Sequence, residues 1–168
     1  MATDGISDVR EKPARGNHRT PDEEGNDGQP TVTRARAGAG SGGLEVALFT
    51  FGDDAWRMPA AKRGDIRNAC RAAGIEISGL HWLLAAPSGL SIATADRAVW
   101  QKSVDVLRAS VETCAELGGK YLVHGSPAQR RVAGADDAKR VEEAWAIAAD
   151  AARQAGVTYC LEPLAAPD

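Results

Sequence analysis

Cysteine, histidine and aromatic residues are all scarce in this 168-residue chain, and each shortage closes off a class of protein. The three cysteines, Cys70, Cys114 and Cys160, are odd in number and lie far apart inside apolar patterns. That argues against a disulfide framework and fits a reducing, cytoplasmic setting with the thiols as small buried hydrophobes. No apolar run of about 18 residues occurs and there is no signal-peptide pattern, so neither a membrane nor export is expected. A basic surplus is missing too. The formal net charge is −3, which argues against nucleic acid as a partner. No Gly-x-x-x-x-Gly-Lys loop and no Gly-x-Gly-x-x-Gly follows a strand, so nucleotide binding lacks support. Ser88 and Ser126 lack the context of a nucleophile elbow.

What is present divides at Leu44. Residues 1–43 hold Gly, Pro, Asp, Glu, Arg, Asn and Thr and no aromatic residue. Their basic residues are interleaved with acidic ones, the pattern of a solvated, disordered tail. From Leu44 the chain becomes apolar and periodic. Leu44–Phe51 reads as a strand, and Pro59 opens a helix with Ile66, Ala69, Cys70 and Ala73 on one face. Strand Ile75–Trp82 follows. Asp96 then suits the N-cap of a helix striped by Trp100, Val104, Leu107, Val111 and Cys114. Strand Lys120–Val123 comes next. The spacing predicts a third helix over Asp137–Ala155, with Val141, Trp145, Ala148 and Ala152 inward, and a last strand, Val157–Leu161.

Gly74, Gly118 and Gly156 each stand between a helix and the next strand. The unit repeats three times, so the fold class is α/β with parallel strands and right-handed crossovers. Links from helix to strand are short and those from strand to helix are long. Function is therefore expected at the C-terminal strand ends, as in an α/β barrel.

Those ends carry the chemistry. Two of the three histidines, His81 and His124, fall at strand tips, as does Glu162 between Leu161 and Pro163. Two imidazoles and a carboxylate on one sheet edge suit either a divalent ion or an acid/base set. Trp82 offers an apolar wall for a sugar ring, although core packing is the commoner role of tryptophan. Arg130, in the loop after His124, offers a forked donor to a phosphate or carboxylate.

Three stretches carry a resemblance: Gly79–Leu84 (GLHWLL), Tyr121–Pro127 (YLVHGSP) and Tyr159–Leu164 (YCLEPL). Together they resemble the sugar phosphate isomerase/epimerase family, the xylose isomerase-like TIM barrels, over about Leu44 to Pro167. The resemblance implies a partial (β/α)8 barrel with about four of eight strands. It implies a metal-dependent isomerase or epimerase that moves a proton beside a carbonyl through an enediolate. Glu162 looks like the family's catalytic and metal-binding carboxylate. His81 and His124 look like the strand-tip residues that ligate metal in the endonuclease branch and more often contact substrate in the epimerase branch. His124 is taken as the second metal ligand and His81 as a substrate contact, beside the Trp82 and Arg130 contacts read from their own chemistry. The implied cofactor is a divalent ion (Mn2+, Mg2+, Co2+ or Zn2+), and the implied ligand is a sugar or sugar phosphate. The family's other ligands, an Asp, a His and a second Glu, come from later strands that this sequence lacks. A truncated, non-catalytic half-barrel is therefore the alternative, or one completed by a homo-oligomer or a partner chain. An endonuclease IV-like phosphodiesterase is disfavoured by the negative charge.

Overall fold

The computed structural model describes residues 43–163. The N-terminal tail expected to be disordered lies outside the described residues except for Gly43. Four parallel strands form one sheet in the order β1-β2-β3-β4: β1 (Gly43–Ala47), β2 (Glu76–His81), β3 (Tyr121–His124) and β4 (Thr158–Leu161). Between them run α1 (Ala60–Ala72), α2 (Arg97–Leu117) and α3 (Ala135–Ala155). The alternation expected from the sequence is therefore present. Strands in sequential order joined by right-handed crossovers put every helix on the same side of the sheet. Accordingly α2 packs beside both α1 and α3.

Local chemistry accounts for the boundaries. The Asp96 carboxylate accepts from the N–H groups of Ala98 at 2.9 Å and Val99 at 3.2 Å, the cap expected for α2. Gly118 and Gly156 close α2 and α3 in the left-handed region, at φ 89° and 70°. The stripe on α2 is wider than its spacing suggests. Ser103, Val106, Ser110, Thr113 and Leu117 are buried as well, because the helix meets a neighbour on each flank besides the sheet.

Three expectations are revised. The first strand stops at Ala47, and Leu48–Phe51 winds into a 3-10 turn. The Thr50 hydroxyl donates to the Ala47 carbonyl at 2.8 Å, a local bond that competes with continued extension. On α1 and its C-cap, Ala69 and Ala73 are exposed and Arg63 is buried along with Ile66. Its guanidinium reaches Glu116 at 2.6 Å, Glu112 at 3.2 Å and the Met58 carbonyl at 2.8 Å. On α3 Val141, Ala148 and Ala152 are buried as expected, but Ala144 joins them in place of Trp145, which is half-buried.

Side chains alternate across a strand, so the register sorts the sheet into two faces. Leu80, Leu122 and His124 face the helices and have no exposed surface. Glu45, Ala47, Gly79, His81, Tyr121, Val123, Thr158 and Cys160 share the other face. Of these, Tyr121 and Val123 are only half-buried, because among the described residues no helix lies over them.

Candidate functional site

Parallel strands bring their C-terminal ends to one edge, and the long loops gather there. The Leu84 N–H donates to the Ser126 hydroxyl at 3.3 Å, and the Ile92 N–H donates to the Gln129 carbonyl at 2.8 Å. These bonds tie the loop after β2 to the loop after β3.

Glu162 stands one residue beyond β4, on the side of the sheet away from the helices, and is exposed. Its N–H donates to the His124 carbonyl at 3.3 Å, and its own carbonyl accepts from the Arg130 guanidinium at 2.6 Å. Pro163 follows and has no N–H with which to extend the ladder. The Glu162 side chain lies over buried Gly125, where an added Cβ would overlap Oε2 and stand 3.2 Å from Cδ.

His81 belongs to the same face as Glu162 and is half-buried. His124 does not share that face. It pairs in register with Leu161, one residue before Glu162, so its side chain points the opposite way. Its ring packs edge-on to Trp145 of α3 and to Tyr159 of β4. Nδ1 lies 2.5 Å from the Tyr159 hydroxyl, and Nε2 is buried without a partner. Burial, reinforced by the positive charge of Arg130, pulls the imidazole down to about pH 4, so it is neutral at pH 7. Burial likewise pushes the Tyr159 phenol up.

Expected as metal ligands together, His124 and Glu162 thus sit on opposite faces. Among the described residues no group of three or more His, Cys, Asp or Glu side chains could hold a metal ion. On the inner face the donor groups near the edge are the single Glu162 carboxylate, the His81 imidazole and the Cys160 thiol, which stands level with His81 two strands away. That set does not by itself fit a resident divalent ion.

Arg130, expected to meet substrate, spends one guanidinium nitrogen on the Glu162 carbonyl. Its Nε is buried and has no partner. Trp82 is 57% exposed and sits at φ 53°, the only non-glycine residue among those described with positive φ. A bulky side chain in the left-handed region is a strained arrangement of the kind found at ligand sites. Its ring meets exposed Phe49 edge-on, with centroids 6.4 Å apart at 74°. Sequence reasoning missed Phe49 by assigning it to a strand. The signal was Phe49 and Phe51 beside Gly52-Asp53, where the first strand gives way to a loop.

A family model described as xylose isomerase-like TIM barrel matches residues 34–168. No curated protein matches the chain significantly. Among solved structures, a D-psicose 3-epimerase is similar at 21% identity and TM-score 0.56, over 73% of this chain and 42% of its own. A D-allulose 3-epimerase from Methylomonas sp. is similar at 20% identity and TM-score 0.53, over 73% and 41%. A 3-keto-D-glucoside 4-epimerase from E. coli is similar at 17% identity and TM-score 0.50, over 62% and 42%. Identities this low speak for the fold alone. The chain spans about two-fifths of the length of each of these proteins.

Proposed function

The chain belongs to the xylose isomerase-like TIM barrel family, and we propose that it serves a sugar isomerase or epimerase reaction in which a proton moves beside a carbonyl. The observation that carries this reading is the exposed Glu162 carboxylate, held at the C-terminal strand edge on the face it shares with His81. A carboxylate there can take a proton from the carbon next to a ketose carbonyl. The C–H bonding pair then forms the enediolate double bond, and the carbonyl oxygen takes up the charge. Return of a proton to the other face of that carbon, or to the neighbouring carbon, gives the epimer or the isomer. Trp82 and Phe49 supply an apolar wall for a sugar carbon chain. His81 faces the same space and is proposed as a substrate contact. His124 is proposed as a support beneath the edge.

A divalent ion would polarise the carbonyl and hold the enediolate. Glu162 is suited to be one of its ligands, but the described residues do not complete a set, so no step is assigned to the metal. A half-barrel that works with a second chain is the other reading. It is favoured by the sheet's inner face, which no described element covers.

The test uses the full chain with a panel of ketoses and ketose phosphates in deuterated water, with and without Mn2+. We expect deuterium to enter beside the carbonyl and Glu162→Gln to abolish it. No exchange into any sugar under either condition would reject the isomerase reading for the chain alone.

A further inference from the structure

We infer that Gly125 and Arg130 are positioning residues that fix the Glu162 carboxylate at the strand edge. The inference deepens the proposed function and rests on it for the identity of the reactive group.

Glycine is usually demanded by backbone conformation. Gly52, Gly74, Gly89, Gly118 and Gly156 all have φ between 70° and 111°, and Gly125 is not among them. Its backbone does not lie in the left-handed region that favours glycine. What a side chain there would displace is the Glu162 carboxylate, since a Cβ would overlap Glu162 Oε2 and stand 3.2 Å from Cδ, with no backbone atom in the way. Gly125 is buried and follows His124, the residue whose carbonyl takes the Glu162 N–H. The tip of β3 therefore grips the backbone of Glu162 and leaves a bare floor for its carboxylate.

Arg130 closes the grip from the other side. Its guanidinium donates to the Glu162 carbonyl at 2.6 Å. Pro163 removes the next ladder donor, and among the described residues Arg130 is the one group that donates to the Glu162 carbonyl. With one bond to its N–H, one to its carbonyl and a floor under its side chain, Glu162 is confined although it is exposed.

The test compares crystal structures and ketose kinetics of the full chain with those of Gly125→Ala and Arg130→Gln. Gly64→Ala, on α1 where a Cβ meets nothing within 4 Å, is the control. In Gly125→Ala we expect Glu162 to take a different rotamer while the fold stays intact. We expect kcat to fall about a hundredfold with little change in KM, the effect of an ångström-scale misplacement. In Arg130→Gln, amide exchange at Glu162 should speed up. A Glu162 carboxylate unmoved in Gly125→Ala would overturn the floor, and unchanged exchange in Arg130→Gln would overturn the clamp. If Gly125→Ala does not fold, the double variant Gly125→Ala/Glu162→Ala decides. Recovery of the fold supports the contact, and failure to recover overturns it. Should the parent chain turn over no sugar, the functional reading falls, while the rotamer and exchange measurements still judge the positioning.

Discussion

His124 shows how far one residue can be read from sequence. Its place at a strand tip was legible from the apolar run ending at Val123. Its face was not used, although alternation decides it: Leu122 lies two residues earlier on the helix side, so His124 lies there too. The consequence is a measurable pH dependence. The unfolded imidazole titrates near its ordinary 6.5, whereas the buried one titrates at about 4. Between those values the unfolded state binds more protons, so stability is complete above about pH 6.5 and falls as pH drops toward 4. The shift corresponds to at most about 3 kcal/mol. Urea unfolding of the full chain should show this slope between pH 7 and 4.5. His124→Leu, which has no proton to gain, should show a shallower one. Parallel slopes in the two proteins would count against a buried neutral imidazole. Cys114 behaves as the sequence suggests, with burial pushing its thiol up to about 11 and leaving it inert at neutral pH.

At the scale of elements, the strand-loop-helix grammar was readable because each signal has a local cause. Asp96 caps, glycines close, and apolar spacing sets the inner stripe. The failures lie where a distant partner decides. Arg63 reads as a surface residue until α2 brings Glu112 and Glu116 to it. Both carboxylates are partly exposed, so Arg63→Ala should cost only about 1–2 kcal/mol in thermal or urea unfolding. The turn after β2 offers a sharper case. Trp82 holds a left-handed backbone that glycine would adopt without strain. Trp82→Gly should therefore leave stability unchanged or raise it by up to about 1 kcal/mol. It should also weaken sugar binding, raising KM, because the aromatic pair with Phe49 is gone. A large loss of stability would instead make Trp82 a core residue and remove it from the site.

The whole molecule sets the last expectation. Parallel sheets are normally covered on both faces, and in a closed barrel the inner face is filled by layers of side chains from opposite strands. Here α1, α2 and α3 cover one face, and among the described residues nothing covers the other. Tyr121 and Val123 remain half-buried on it, and Leu44 and Leu161 stay exposed on the edge strands β1 and β4. Open apolar faces and unpaired strand edges favour association. In sedimentation velocity the full chain should therefore gain mass with concentration, and under native conditions it should bind a hydrophobic dye while its circular dichroism stays that of folded α/β structure. Adding carboxylate donors from a second chain to Glu162 would also be the simplest route to a complete ligand set. Mn2+ binding should then rise with the associated fraction rather than with total protein. A dye-silent monomer that melts cooperatively and binds Mn2+ equally well at every concentration would remove both the need for a partner chain and the reason to propose one.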